Sequence, residues 1–295
     1  MKRYKQWREL EIDPFTINFK KIKLLAIESY LPAGNDVLAC RCLLNNQELT
    51  MIIKIERSKI ADFATEVKHL KLLQEKGYYA HLPQIIEEGE ILGKRYIVLK
   101  EVVGERLSEI FPKIKASEKA SYLIKYGAEL ATFHQIPNVL FGPAKQRVIN
   151  EVPREKPERK FDELIKPYID YLINHEPQKN NETFIHGDFH YANLLWQKGQ
   201  IKGLLDYEYS GQGFKEQDIA WACILRPTQK FMKTKKDIKL FLNGYSLKGN
   251  FDNKKLKWCL INGICHFYLM NQGNLKYQSQ LLKLLKIIMQ EQIFN

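Results

Sequence analysis

Long apolar runs are missing from this sequence: no stretch approaches the roughly 20 residues that a helix needs to cross a bilayer. The opening residues, Met-Lys-Arg-Tyr-Lys-Gln-Trp-Arg-Glu-Leu-Glu-Ile-Asp, are too polar for a secretory signal. Both absences point to a soluble, cytoplasmic chain with no membrane span. Cysteine is scarce as well. The five thiols, Cys40, Cys42, Cys223, Cys259 and Cys265, form no Cys-x-x-Cys pair, which argues against zinc and a disulfide framework and fits a reducing compartment. Glycine is sparse where nucleotide fingerprints need it. Gly211-Gln212-Gly213 lacks the third glycine and the preceding strand of a dinucleotide site. The loop over 29–36 holds only Gly34, so it is neither a Walker motif nor a protein-kinase glycine loop. Acids are outnumbered, 34 against 46 Lys and Arg, for a net charge of +12. That balance permits nonspecific attraction to nucleic acid, but no recognition module makes it specific.

What is present is an ordinary globular composition, 45% hydrophobic and 27% charged, over 295 residues. That length buries a substantial core and reads as two lobes. Residues 1–20 form a basic, aromatic-containing arm, expected to pack on the first lobe as a short helix or strand. Strand-like runs follow at 22–27, 37–44 and 49–55, with a hairpin turn at Asn45-Asn46. An amphipathic run over 61–76 carries Val67, Leu70 and Leu73 on one stripe. Two more strands, 84–88 and 95–100, flank a Leu92-Gly93-Lys94 turn. Beyond Gly104 the pattern turns helical, at 117–134, 161–175, 215–225, 235–245, 254–272 and 278–292, with an irregular stretch over 137–157.

The chemistry concentrates between Phe184 and Asp218. Phe-Ile-His-Gly-Asp-Phe-His-Tyr-Ala-Asn-Leu-Leu-Trp places Asp188 five residues before Asn193, and Asp206 follows thirteen residues later in Leu-Leu-Asp-Tyr-Glu-Tyr. Moving a phosphoryl group to a hydroxyl needs a carboxylate for the hydroxyl proton, oxygen ligands for magnesium, and positive charge on the phosphates. Asp188 can do the first, and Asn193 and Asp206 the second. The Asp188-to-Asn193 spacing equals that of the protein-kinase catalytic loop, with Gly187 where a protein kinase has Arg. Runs at 194–196 and 201–205 read as a hairpin turned at 197–200, which would bring Asn193 and Asp206 to one metal ion. Lys54 ends Met-Ile-Ile-Lys among apolar neighbours and needs a partner, which Glu66 can supply.

His186-Gly187-Asp188 to Asn193, Leu205-Asp206-Tyr207-Glu208-Tyr209 and Asp218-Ile219-Ala220 together resemble the aminoglycoside phosphotransferase and choline kinase superfamily. The resemblance implies an α+β, two-lobed protein-kinase-like fold: an antiparallel-sheet nucleotide-binding lobe over 1–100, a hinge at 101–104, and a mainly helical lobe over 105–295 holding the catalytic loop and acceptor site. It implies an ATP- and Mg2+-dependent kinase acting on a small-molecule alcohol, with Asp188 as catalytic base and Asn193 and Asp206 as metal ligands. Lys54, paired with Glu66, would hold the phosphates, the loop carrying Gly34 and Asn35 would cover them, and backbone groups at Glu101 and Val103 would meet the adenine. Asp218 would brace the catalytic loop. Glu208 is left open between metal and substrate. Asp-Tyr-Glu-Tyr in place of Asp-Phe-Gly argues for the small-molecule branch.

The acceptor is less legible. Residues 230–295 hold twelve Lys, no Arg and three acids. That field suits a neutral or anionic hydroxyl compound better than a polycationic aminoglycoside. Tyr207, Tyr209, Trp221, Trp258, Phe267 and Tyr268 could instead cage an ammonium group. An antibiotic-modifying kinase and a nucleotide-binding protein without turnover are the alternatives.

Overall fold

The computed structural model of the chain describes residues 5–57, 62–145, 147, 151–156, 160–178 and 183–290. The chain forms two compact units, residues 1–104 with 202–209, and residues 105–201 with 210–295. The first is built on five antiparallel strands, β1 (Ile22–Leu31), β2 (Asp36–Leu44), β3 (Gln47–Ile55), β4 (Ile85–Ile91) and β5 (Lys94–Lys100), in the order β1-β2-β3-β5-β4. Two tight hairpins set this order. Asn45 and Asn46, at φ 50° and 65°, and Leu92 and Gly93, at 50° and 73°, take the left-handed backbone that matches strand twist.

Alternation along β3 sends Met51, Ile53 and Ile55 into a core with Leu38, Cys40 and Val98. Ile12 and Ile17 of the arm close that core, flanking a 3-10 turn, Pro14–Thr16, whose start Asp13 caps by accepting from the Phe15 N–H at 3.0 Å. The first strand pair runs further than expected, so the loop between them shrinks to 32–35. The cause is a polar clamp: Tyr30 donates to Asp36, and Arg8 donates to both, at 2.7 and 2.9 Å. Helix α1 (Phe63–Lys76) starts at Asp62, which accepts from the Thr65 N–H at 3.0 Å, and stops at Gly77 in the left-handed region. Its buried face is Phe63, Glu66, His69, Leu70 and Leu73, with Val67 at the margin. The expected helix start at Ala61 lies outside the described residues.

The second unit is mainly helical: α2 (Leu107–Ile110), α3 (Ala116–Phe133), α4 (Lys166–Asn174), α5 (Lys215–Cys223), α6 (Lys235–Ser246), α7 (Asn253–Met270) and α8 (Leu275–Gln290). Between them run β6 (Thr183–Ile185), β7 (Leu194–Gln197), β8 (Gln200–Leu204) and β9 (Gly211–Gly213). Strands β7 and β8 form the expected hairpin, and the chain passes into the first unit within β8. The helix expected from 161 starts at Lys166, because the Asp162 carboxylate accepts from the Leu164 and Ile165 N–H groups and turns the chain first. The last helix begins three residues earlier than expected, at Leu275, and its expected end at Gln292 lies outside the described residues, as does Pro157. Part of the irregular stretch is ordered by β9: Gln212 donates to Gly142 and accepts from Ala144, at 2.8 and 2.9 Å. All five cysteines are buried and free. Among the described residues, no helix is long and apolar enough to cross a membrane.

Candidate active site

In the first unit, Lys54 stands on the central strand β3, on the face opposite the Met51 and Ile53 core, and reaches Glu66 of α1. Nζ lies 2.6 Å from Glu66 Oε2, 3.3 Å from Asp206 Oδ1 and 3.6 Å from Glu208 Oε1. Burial works against its charge, but the three carboxylates outweigh burial and hold the ammonium above its ordinary pKa. Asp206 sits at φ 71°, a left-handed conformation that costs a non-glycine residue about 1 kcal/mol or more. That turn sets Asp206 and Glu208 on the same side as Lys54, while Tyr207 is fully buried.

Glu208 is 7% exposed and accepts from Asn35 Nδ2 at 2.6 Å. Burial pushes its carboxyl up to about 7; Lys54 opposes the rise, and the Asp206 and Glu66 charges add to it. Carboxylate oxygens of Glu66, Asp206 and Glu208 lie within 4.8 Å of one another. This hard, all-oxygen donor set fits magnesium, with Asp206 the most open member at 38% side-chain exposure. Asn35 Oδ1 also accepts from the Arg57 N–H at 3.3 Å, so its side chain is engaged inside its own unit. Gly34 offers its carbonyl to Arg8 at 3.1 Å, and a Cβ there would meet nothing within 4 Å. Glu101 and Val103 lie on exposed irregular backbone at the end of this unit.

In the second unit, β6 delivers the loop that carries Asp188. Asp218 of α5 is 1% exposed and accepts from the His186 and Gly187 N–H groups at 2.6 and 2.8 Å. His134 backs it at 3.2 Å and reaches the Tyr245 hydroxyl at 2.8 Å, a structural position at the end of α3. Gly187 lies at φ 74°, which is why glycine stands where a protein kinase has Arg. Asn193 donates from Nδ2 to the Asp188 carbonyl at 3.0 Å, so its amide oxygen is the atom that could hold a metal. The Asp188 carboxylate accepts from Trp221 Nε1 at 2.7 Å and pairs with Arg147 Nη2 at 2.8 Å. His190 Nε2 lies 3.5 Å away, and burial, then the guanidinium groups of Arg226, Arg147 and Arg106, hold that imidazole well below its ordinary pKa. It is therefore neutral, and its Nδ1 accepts from the Ala192 N–H at 3.2 Å.

The structure joins Lys54 to Glu66 as expected and sets Asp206 and Glu208 beside the same ammonium, where the sequence paired Asp206 with Asn193 instead; Arg147 and Arg226 were not expected, and Trp221 counted only as an aromatic. Trp221 instead presents its N–H to Asp188 and its ring to Arg147 and Arg226, whose guanidinium carbons lie 4.8 and 4.7 Å from its centroid. The only trace of this in the sequence is a Trp three residues after Asp218.

The family model described as the phosphotransferase enzyme family matches residues 29–239. Among solved structures, a thermostable mutant of aminoglycoside phosphotransferase APH(4)-Ia, in a complex with AMP-PNP and hygromycin B, superposes with a TM-score of 0.61 at 15% identity, over 90% of this chain and 94% of that one. Choline kinase LicA from Streptococcus pneumoniae gives 0.58 at 16% identity over 90% and 94%. A putative fructosamine-3-kinase from Haemophilus somnus gives 0.52 at 19% over 94% and 92%. One curated relative, acyl-CoA dehydrogenase family member 10 of Mus musculus, is 34% identical over 58 residues, 19% of this chain and 5% of that protein's length. The chain thus corresponds to a small part of that relative.

Proposed function

Because this chain belongs to the phosphotransferase enzyme family, we propose that it is an ATP- and magnesium-dependent kinase that phosphorylates a hydroxyl of a small molecule in the cytoplasm. The observation that carries this reading is the buried Lys54–Glu66 pair at 2.6 Å with Asp206 and Glu208 beside the same ammonium. A lysine held charged by three carboxylates gains a further partner in a polyphosphate. Lys54 neutralises phosphate charge and Glu66 aims it. Asp206 and Asn193, with Glu208 in support, would supply oxygen ligands for magnesium, which when bound would offset charge on the transferring group. Backbone at Glu101 and Val103 receives the adenine, and the turn carrying Gly34 and Asn35 flanks the phosphates; residues 1–100, joined by 202–209, form the nucleotide lobe, 101–104 a hinge and the rest of 105–295 the acceptor lobe.

Asp188 takes the acceptor hydroxyl proton while that oxygen forms its bond to the γ-phosphorus. The bond from this phosphorus to the β–γ bridging oxygen breaks, giving ADP and a phosphomonoester. Loss of such a base costs about 10²–10⁴ in rate. Asp188→Asn should therefore lower kcat by that factor with little change in KM for ATP. Asp206→Ala should abolish magnesium-dependent nucleotide binding. ADP release with Mg·ATP across choline, ethanolamine, thiamine, homoserine, sugars, nucleosides and aminoglycosides provides the assay, and full activity in either variant would refute the assignment. The occupied Asp188 carboxylate favours one second reading, a nucleotide-binding protein without turnover; it predicts Mg·ATP binding with no ADP release across the panel.

A further inference from the structure

Asp188 is crowded by positive charge. Arg147 Nη2 holds Oδ2 at 2.8 Å, and its Nε donates to the Gly187 carbonyl at 3.0 Å, so one guanidinium grips both the base and the loop beneath it. Arg226 lies on the same indole as Arg147; its Nη1 bonds the Trp221 and Ile224 carbonyls at 3.3 and 3.2 Å, while its Nη2 is buried without a hydrogen-bond partner. Arg106 Nε, 2.7 Å from the Ala192 carbonyl, adds a third guanidinium to the loop between Asp188 and Asn193. His190 Nε2 stands farther from the Asp188 carboxylate than Arg147, at 3.5 Å, and its Nδ1 is taken up by the Ala192 N–H.

Two chemical consequences follow. A carboxylate paired with arginine is a poor proton acceptor, because the pair stabilises its charged form. A cationic acceptor brought to Asp188 would meet fixed guanidinium charge, a repulsive element against aminoglycosides and choline alike. Both difficulties disappear if the acceptor brings its own anion. Arginine binds carboxylate and phosphate through two parallel N–H groups, and the Arg147 side chain is 22% exposed and so open to exchange.

We propose that the acceptor carries an anionic group, a carboxylate or a phosphate monoester, and that this group binds Arg147 and draws it from Asp188, freeing the base for the hydroxyl of the same molecule. The inference rests on the reading of Asp188 as the base. It makes Arg147 an anion-binding residue and couples substrate charge to catalysis: without the anion, the base stays paired.

Titration of the intact protein tests it without requiring turnover. Glycerate and glycerol 3-phosphate are the probes, with glycerol and choline as neutral and cationic controls at matched ionic strength. The readouts are tryptophan fluorescence, assigned with Trp221→Phe, and calorimetry. The expected result is saturable binding of one or both anions, not of glycerol or choline, weakened at least tenfold in Arg147→Met and partly recovered in Arg147→Lys. Thermal melts establish that the variants fold. Whichever anion binds distinguishes carboxylate from phosphate as the source. Absence of binding by either anion, equal binding in Arg147→Met, or a preference for choline overturns the inference.

The ADP assay separates this idea from the kinase reading. Hydroxy acids or phosphorylated alcohols phosphorylated at least tenfold more efficiently than their methyl ester or unphosphorylated counterparts uphold both. Turnover of neutral or cationic acceptors alone sinks the anionic acceptor and keeps the kinase. Anion binding with no ADP release upholds the anion site, and the failure then falls on transfer.

Discussion

Glu208 differs from the other acids of its unit in being buried without a full-strength partner: Lys54 lies 3.6 Å away and Asn35 supplies a neutral donor at 2.6 Å. Its carboxyl titrates at about 7 rather than 4.5. The folded protein then holds a proton that the unfolded chain has lost, so stability falls as pH rises from 4.5 to 7. Glu208→Gln keeps the neutral form at every pH. In chelator and without nucleotide, its unfolding free energy in urea should match wild type near pH 4 and exceed it at pH 8 by about 1–3 kcal/mol. A wild type more stable than the variant at pH 8 would mean that Lys54 attraction outweighs burial. At this scale the sequence was most informative where a residue type clashed with its neighbours. Lys54 stands out in Met-Ile-Ile-Lys-Ile because a strand lysine between apolar residues needs a counter-charge. Arg147 carries no such signal: its partners, Asp188 and Trp221, are far along the chain and only tertiary folding joins them.

Helices α3 and α6 cross at a pair of glycines. A Cβ on Gly127 would lie 1.9 Å from the Phe241 carbonyl oxygen, and one on Gly244 would lie 1.9 Å from that of Ile124, so backbone meets backbone on both sides. Helix propensity alone predicts that Gly127→Ala or Gly244→Ala stabilises by up to about 1 kcal/mol. The crossing reverses that sign. Each substitution should destabilise by about 1–3 kcal/mol or more as the helices are forced apart, and the double variant should cost less than the two single effects added, since one separation relieves both. Urea unfolding of the three variants measures this; stabilisation by either single change would show that the helices accommodate a methyl group. Local elements were readable for the reason that these glycines were not. Asn45-Asn46 and Gly93 announce hairpins through their own backbone preferences, and α1 announces itself through its apolar stripe. Strand β9, three residues of Gly-Gln-Gly, forms by pairing with β6, and no local pattern encodes that partner.

Chain order and unit membership part company at 202–209. This short return segment folds with residues 1–104, and its contacts there are specific. The Leu204 N–H donates to the His81 carbonyl at 2.8 Å, and a Cβ on Gly203 would press to 2.7 Å from Val102 Cγ1. Tyr207 is fully buried, and Asp206 and Glu208 complete the charge balance around Lys54. A fragment ending at Gly104 keeps all five strands and α1 but loses a buried tyrosine, whose removal alone costs on the order of 3–5 kcal/mol by analogy with other large aromatics. It also leaves Lys54 with Glu66 as its remaining ion-pair partner of the three. Against the 5–15 kcal/mol that holds an ordinary domain together, that loss is decisive. Residues 1–104 expressed alone should show no cooperative thermal transition by circular dichroism, whereas the same fragment carrying 202–209 on a flexible linker should recover one. A sharp transition in the unlinked fragment, at the temperature of the linked one, would show instead that the sheet and α1 fold without the segment that carries Asp206.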